Sequence, residues 1–229
     1  MSWVHVIPDI HGRLDALELI LQASGCLGPD DAWIGPADST LVQLGDLVDR
    51  GPHSRACVER MMGLTARHPE RVRVICGNHE QMLLSDDYEM HRTWLGNGGQ
   101  ATLDDYGKDF KALCRGEGAH AQWFRSLPLS WTQHGVLFCH AGLHFSDPNG
   151  QSERLLLWTR PPLTRGSFRA VVCGHTPTRS KRIEVENGIF KTDIGLGFPG
   201  AGQEAEVLKL DTQSLDWAVV PVPGIFKTA

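Results

Sequence analysis

Several things are missing from this chain, and each absence narrows what it can be. The six cysteines, Cys26, Cys57, Cys76, Cys114, Cys139 and Cys173, show no C-x-x-C spacing, and three of them end apolar runs, where a thiol behaves as a small buried hydrophobe. A reducing compartment follows. No run approaches the ~18 apolar residues of a membrane span, and no basic segment followed by an apolar stretch opens the chain, so neither a span nor a signal peptide is expected. A cytoplasmic location is. Positive charge is not in excess: 22 Lys and Arg against 27 Asp and Glu leave a net charge of -5, which excludes a general binder of nucleic acid or anionic membrane. Repeats, low-complexity tracts and linkers are absent too. A chain of 229 residues that is 41% hydrophobic can bury a large core without disulfides, and a single domain over 1–229 is the simplest division.

What is present is a repeated grammar of short apolar runs that end in tight polar clusters. The run Thr40-Leu41-Val42-Gln43-Leu44 leads into Gly45-Asp46-Leu47-Val48-Asp49-Arg50-Gly51, and Trp3 to Ile7 leads into Pro8-Asp9-Ile10-His11-Gly12. Val72 to Cys76 leads into Gly77-Asn78-His79-Glu80, Gly135 to Cys139 into His140-Ala141-Gly142, and Ala170 to Cys173 into Gly174-His175-Thr176. The runs read as buried strands, and open α/β sheets place their chemistry at strand C-terminal ends. Helical patterns over Leu14 to Leu21 and Ser54 to Arg67 separate the first three strands, which predicts a parallel α/β core at the front. A longer, mostly helical stretch at about 80–127, broken at Gly96-Asn97-Gly98-Gly99 and Gly116-Glu117-Gly118, reads as a cap or insertion. After Gly174 come short strands: Arg182 to Glu186 and Ile189 to Asp193 about an Asn187-Gly188 hairpin turn, then Glu206 to Leu210 and Trp217 to Val222.

Asp9, His11, Asp46, Asn78, His140 and His175 offer oxygen and nitrogen ligands without thiolate, a set that suits Mn, Fe or Zn. Six ligands are too many for one catalytic zinc and suit two ions that share a carboxylate. Taken singly, each of these motifs is an ordinary turn or surface histidine. The metal reading comes from their joint occurrence at five strand ends.

These motifs, in this order, resemble the signature of the phosphoprotein phosphatase family of calcineurin-like metallophosphoesterases. The small bacterial and phage branch is the nearest match, through Gly77-Asn78-His79-Glu80-Gln81-Met82, Trp94 to Gly99 and Leu157-Trp158-Thr159-Arg160. The resemblance covers roughly residues 3 to 200, with two departures. Pro8 stands where glycine is usual, and Thr192-Asp193-Ile194-Gly195 stands where the family reads Ile-Asp-Thr-Gly. It implies an α/β fold of two mixed β-sheets in a sandwich flanked by helices. It also implies two divalent ions, Mn²⁺ first with Fe or Zn as alternatives: one held by Asp9, His11 and Asp46, the other by Asp46, Asn78, His140 and His175, with a bridging hydroxide as nucleophile. Arg50 and Arg160 would grip the phosphoryl oxygens. His79, oriented by Asp49, would protonate the leaving oxygen.

The activity so implied is hydrolysis of phosphate monoesters on protein serine or threonine, with tyrosine as a further substrate and a phosphoprotein or phosphopeptide as partner. A symmetrical dinucleoside tetraphosphate hydrolase shares the metal site, but its positions for Asp49 and Glu80 usually read differently. A catalytically dead, metal-stabilised binding module is the rival of another class, and the complete ligand and arginine set speaks against it. His5, His53, His68, His91, His120 and His134 read as structural or surface residues, and so does His144, for which lining the pocket is the alternative because it follows Gly142 by two residues. Arg179, Lys181 and Arg182 read as a solvated basic edge, and Trp94, Trp123, Trp131 and Trp158 as packing.

Overall fold

A computed structural model describes residues 1–198 and 204–222; the expected single domain over 1–229 extends beyond these at both places. In chain order the elements are β1 (Trp3–Ile7), α1 (Leu14–Ser24), β2 (Thr40–Gln43), α2 (Ser54–Arg67), β3 (Val72–Val74) and α3 (Asn78–Leu83). Next come α4 (Tyr88–Trp94), α5 (Gln100–Tyr106), α6 (Phe110–Cys114), α7 (Gly118–Ser126), β4 (Ser130–Gln133), β5 (Val136–Cys139) and α8 (Glu153–Trp158). The described chain closes with β6 (Ala170–Cys173), β7 (Glu184–Glu186), β8 (Ile189–Lys191), β9 (Ala205–Asp211) and β10 (Trp217–Val222). One sheet has the order β10-β9-β1-β2-β3 and the other β4-β5-β6-β8-β7. Each is mixed: β1/β2, β2/β3, β5/β6 and β6/β8 pair parallel, while β9/β1, β10/β9, β4/β5 and β7/β8 pair antiparallel, so the first sheet has a parallel edge strand, β3, and the second has antiparallel strands at both edges.

Strand periodicity assigns the two faces of each sheet. Val4 and Val6 of β1, Val42 of β2, Val136 and Phe138 of β5 and Val172 of β6 meet in one apolar cluster between the sheets. The alternate residues turn outward. On the first sheet, Ile7, Leu41 and Val72 pack under Leu17 and Ile20 of α1, Val58 and Met61 of α2, and Trp94 and Phe124 of the insertion. On the second, Leu137, Cys139, Val171 and Cys173 lie against Leu143 and Leu156. The expected strand over Val72 to Cys76 ends two residues early as a ladder, although the Ile75 N–H still donates to the Gln43 carbonyl at 2.9 Å. The expected break at Gly96-Asn97-Gly98-Gly99 is present: Gly98, with a non-helical φ of 103°, kinks the chain within the turn Leu95–Gly99 that joins α4 to α5. Among the described residues no helix is long and apolar enough to cross a membrane.

The loops after β1 and β2 touch backbone to backbone, which makes Gly12 a site of close approach. Its φ is +65°, and a Cβ there would fall 2.5 Å from the Gly51 carbonyl oxygen. Gly25, which ends α1 at φ +68°, has open space at the corresponding position. Gly25→Ala should therefore cost only the left-handed strain, about 1–2 kcal/mol. Gly12→Ala adds a backbone clash and should cost about 2–5 kcal/mol. Denaturant unfolding of the two variants measures the difference, and equal losses would contradict the close approach.

Candidate metal centre

The candidate residues sit on loops held in conformations that side-chain-bearing residues avoid. His11 (φ 48°), Asp46 (56°), Asp49 (75°), Arg50 (68°) and His175 (64°) all have left-handed backbone, a strain that collects at functional sites. Hydrogen bonds between loops hold them there. The Asp46 carbonyl accepts the N–H groups of Ile10 and His11 at 3.1 and 2.8 Å, and the Gly51 N–H donates to the His11 carbonyl at 3.0 Å.

Glu80, the third residue of α3, provides the strongest tie. Its carboxylate accepts N–H groups from Asp46 (2.8 Å) and Leu47 (2.8 Å) on the loop after β2, and from Gly77 (2.9 Å) at its own helix start. Burial, reinforced by the nearby Asp46 carboxylate, pushes its pKa up to about 7 against the pull of those N–H groups. The sequence marked Glu80 only as part of a motif. Its return to the N–H of Gly77 follows the capping-box spacing, which was the one sequence signal for such a role.

Around Asp46 the expected ligands converge. One carboxylate oxygen lies 3.5 Å from His11 Nε2 and 3.8 Å from His79 Nε2, and the other lies 3.5 Å from His140 Nε2. The Asn78 side-chain oxygen is 2.8 Å from His140 Nε2 and 2.9 Å from His175 Nδ1. Two groups thus share Asp46: His11 and His79 on one side, His140 and His175 on the other. Asp9 is buried beside them, one carboxylate oxygen accepting the His175 N–H at 2.9 Å. The sequence had not placed His79 in a ligand-capable group.

The donor set fits divalent cations on four counts. Asp9 Oδ1 and His175 Nε2 are buried without a hydrogen-bond partner, a costly state unless a ligand takes the lone pair. A Cβ on Gly174 would collide with that same Asp9 oxygen, so the glycine keeps its approach open. The Nδ1–H groups of His11 and His140 donate to the carbonyls of Val48 (2.9 Å) and Leu44 (2.8 Å), which turns both Nε2 lone pairs inward. Burial, with Asp193 and Asp46 adding like charge, holds the Asp9 carboxyl well above the usual range, while burial lowers His11, His140 and His175, the last to about 3. Crowded carboxyls and neutral imidazoles are what a cation would relieve. Asp193, in the departing Thr-Asp-Ile-Gly segment, belongs to this surrounding: burial lifts it to about 6 despite the Gly195 N–H at 2.8 Å.

His79 faces the same space. Its Nδ1–H donates to Asp49 Oδ2 at 2.5 Å, and its Nε2 lies 3.2 Å from an Arg50 nitrogen. Burial disfavours the imidazolium, but the carboxylates of Asp46 and Asp49 outweigh it and raise the pKa. The Arg50 guanidinium also donates to His11 Nε2 at 2.7 Å and lies 4.3 Å over the Phe198 ring. Arg160 is not brought into this cluster. It stands exposed at the rim, two residues past α8, and makes no hydrogen bond or ion pair among the described residues, although its charge reaches His175. His144 is also at the surface, bonded to Ser146. Arg182 pairs with Glu206, so the basic edge is partly neutralised. Trp94 packs as expected, stacked on Phe110 at 5.4 Å, but its indole N–H also donates to Asp49 at 2.7 Å, as does the Thr102 hydroxyl at 2.6 Å. No sequence feature pointed to Thr102.

Residues 2–188 match the family model described as calcineurin-like phosphoesterase. Over 150 residues the chain is 41% identical to Shewanella-like protein phosphatase 1 of Plasmodium berghei, covering 60% of this chain and 38% of that one. It is 32% identical over 144 residues to the serine/threonine-protein phosphatase PP2A-like PPG1 of Candida albicans (62% and 29%) and to the symmetrical bis(5'-nucleosyl)-tetraphosphatase of Acidovorax ebreus (61% and 44%). The matched regions thus span less than half the length of these curated relatives. Among solved structures, a cold-active protein-tyrosine phosphatase of a psychrophilic Shewanella superposes with a TM-score of 0.64 at 18% identity, covering 97% of this chain and 81% of that one.

The shared Asp46 carboxylate predicts two ions per chain after loading of the chelator-treated protein. Asp46→Asn should lower occupancy of both sites, and His11→Ala mainly of one. Elemental analysis checks this, and a wild-type protein that takes up no more than one ion would contradict the arrangement.

Proposed function

Because the chain belongs to the calcineurin-like phosphoesterase family, we propose that it is a metal-dependent phosphomonoester hydrolase acting on phosphoserine and phosphothreonine in proteins, with phosphotyrosine also accepted. The observation that carries the reading is the buried Asp49–His79 pair at 2.5 Å, aimed into a space walled by Asp46 and flanked by Arg50. A binding module would have no use for it. The protein phosphatases among its relatives support the same reading.

Asp9, His11, Asp46, Asn78, His140 and His175 would hold two divalent ions, Mn²⁺ foremost, with Fe and Zn suited to the same donors. When bound, such ions supply Lewis acidity and an activated water at neutral pH. The rest falls to this chain's side chains. Arg50 presents a planar fork to the phosphoryl oxygens from inside the site, and Arg160 a second one from the rim, where its exposed side chain is free to swing in. His79 holds its proton on Nε2 and passes it to the departing oxygen, while Asp49 fixes the Nδ1–H. The six free cysteines support a reducing, cytoplasmic setting, and the whole described fold serves as one phosphoesterase domain.

A second reading, hydrolysis of symmetrical dinucleoside tetraphosphates, is favoured by one observation, the similarity to the Acidovorax ebreus protein. Asp49 and Glu80, both fully engaged in the site, favour the phosphatase. The metal-loaded protein should cleave a phosphoserine peptide with higher kcat/KM than diadenosine tetraphosphate, and a reversed preference would move the assignment to the second reading.

The role of His79 has its own test. An alkoxide needs protonation to leave and a nitrophenolate hardly does, so His79→Asn should lose about 10²–10⁴ in kcat on a phosphoserine peptide and less on p-nitrophenyl phosphate. Equal losses at full metal occupancy would show that His79 is not the acid.

A further inference from the structure

Beyond Glu80, the insertion reaches the site between Trp94 and Thr102, where it meets two of the strained residues. Between Trp94 and Thr102 it makes five hydrogen bonds to Asp49 and Arg50. Trp94 Nε1–H donates to Asp49 Oδ2 (2.7 Å), Thr102 Oγ1–H donates to Asp49 Oδ1 (2.6 Å), and the Asp49 N–H donates to Thr102 Oγ1 (2.9 Å). The Arg50 N–H donates to the Gly98 carbonyl (3.0 Å), and Arg50 Nε donates to the Asn97 carbonyl (3.3 Å).

The protons allow only one arrangement at Thr102. Its single hydroxyl hydrogen is committed to Asp49 Oδ1, so the Ser54 hydroxyl, 2.9 Å away, must donate to it. Asp49 Oδ2 then receives both the indole N–H and the His79 Nδ1–H. With donors fixed on both oxygens, the carboxylate cannot rotate, and the His79 ring that leans on it cannot either. Gly99 and Gly98 permit the approach. A Cβ on Gly99 would strike the Trp94 ring, and Gly98, at φ +103°, would strike the Arg50 side chain. Packing alone would not call for a hydroxyl at Thr102 or an indole N–H at Trp94, because both sites are closed to water and an apolar residue of similar shape would fill them.

We propose that the segment from Trp94 to Thr102 is a positioning clamp for the acid machinery: Trp94 and Thr102 set the Asp49 carboxylate that orients His79, and the 97–98 turn sets Arg50. The proposal depends on His79 acting as the acid. The insertion then acts on proton delivery, not as a lid over substrate.

A double-mutant cycle tests it. Thr102→Val and Trp94→Phe should each lose about tenfold in kcat on a phosphoserine peptide and clearly less on p-nitrophenyl phosphate. KM and metal content should hold, and Thr102→Ser should restore the rate. In an Asp49→Asn background the same substitutions should add nothing, since the group they position is gone. Equal slowing of both substrates, or losses that persist in the Asp49→Asn background, would reduce both residues to packing and overturn the clamp. Should Trp94→Phe unfold, the Thr102 variants alone decide. His79→Asn is measured alongside. If it discriminates between substrates while Thr102→Val does not, only the clamp falls; if it does not discriminate, the acid assignment falls and the clamp with it.

Discussion

Everything at the site hangs on the Asp46 residue, whose backbone and side chain are both fully used. Its carbonyl ties down the loop after β1 through Ile10 and His11, its N–H is held by Glu80, and its carboxylate takes the His79 N–H at 3.0 Å while facing three imidazoles. One residue thereby fixes the spacing of three separate strand ends. A carboxylate so placed, between two groups of inward lone pairs, is where two cations would share a ligand.

That arrangement is expensive locally. Left-handed backbone at a non-glycine residue costs about 1–2 kcal/mol, so five such residues amount to roughly 5–10 kcal/mol, comparable to the whole net stability of a typical domain. The sandwich offsets it by bringing the C-terminal ends of β1, β2, β3, β5 and β6 to one rim, where the loops bond to one another. The insertion adds its own ties from outside the rim. Strain at Asp49 and Arg50 is therefore held from two sides, by the β2 loop's bonds within the core and by residues 94–102.

The sequence made the chemistry of the site legible because strand-end clusters carry their side-chain types in plain view. The strand positions and the six candidate ligands could be named from runs such as Val136 to Cys139 followed by His140, and the two-sheet sandwich from the family resemblance; the order of the strands within each sheet was not legible. Which carboxylate accepts which N–H was not legible. Glu80 reaches Asp46 across 34 residues and Thr102 reaches Asp49 across 53, and no spacing rule encodes such pairings. Trp94 could be read as packing because its ring is packing; its N–H is what the pattern could not show. Arg160 looked equivalent to Arg50 by motif, yet one is pinned by the 97–98 turn and the other stands free at the rim, a difference of loop geometry alone.

Electron paramagnetic resonance of the Mn²⁺-loaded chain, at two ions per chain, tests the central claim most directly. If Asp46 is shared by both ions, the two spins lie close enough to couple, and the spectrum should show an exchange-coupled pair that Asp46→Asn abolishes. A spectrum of two independent Mn²⁺ ions in the wild-type protein would contradict the account.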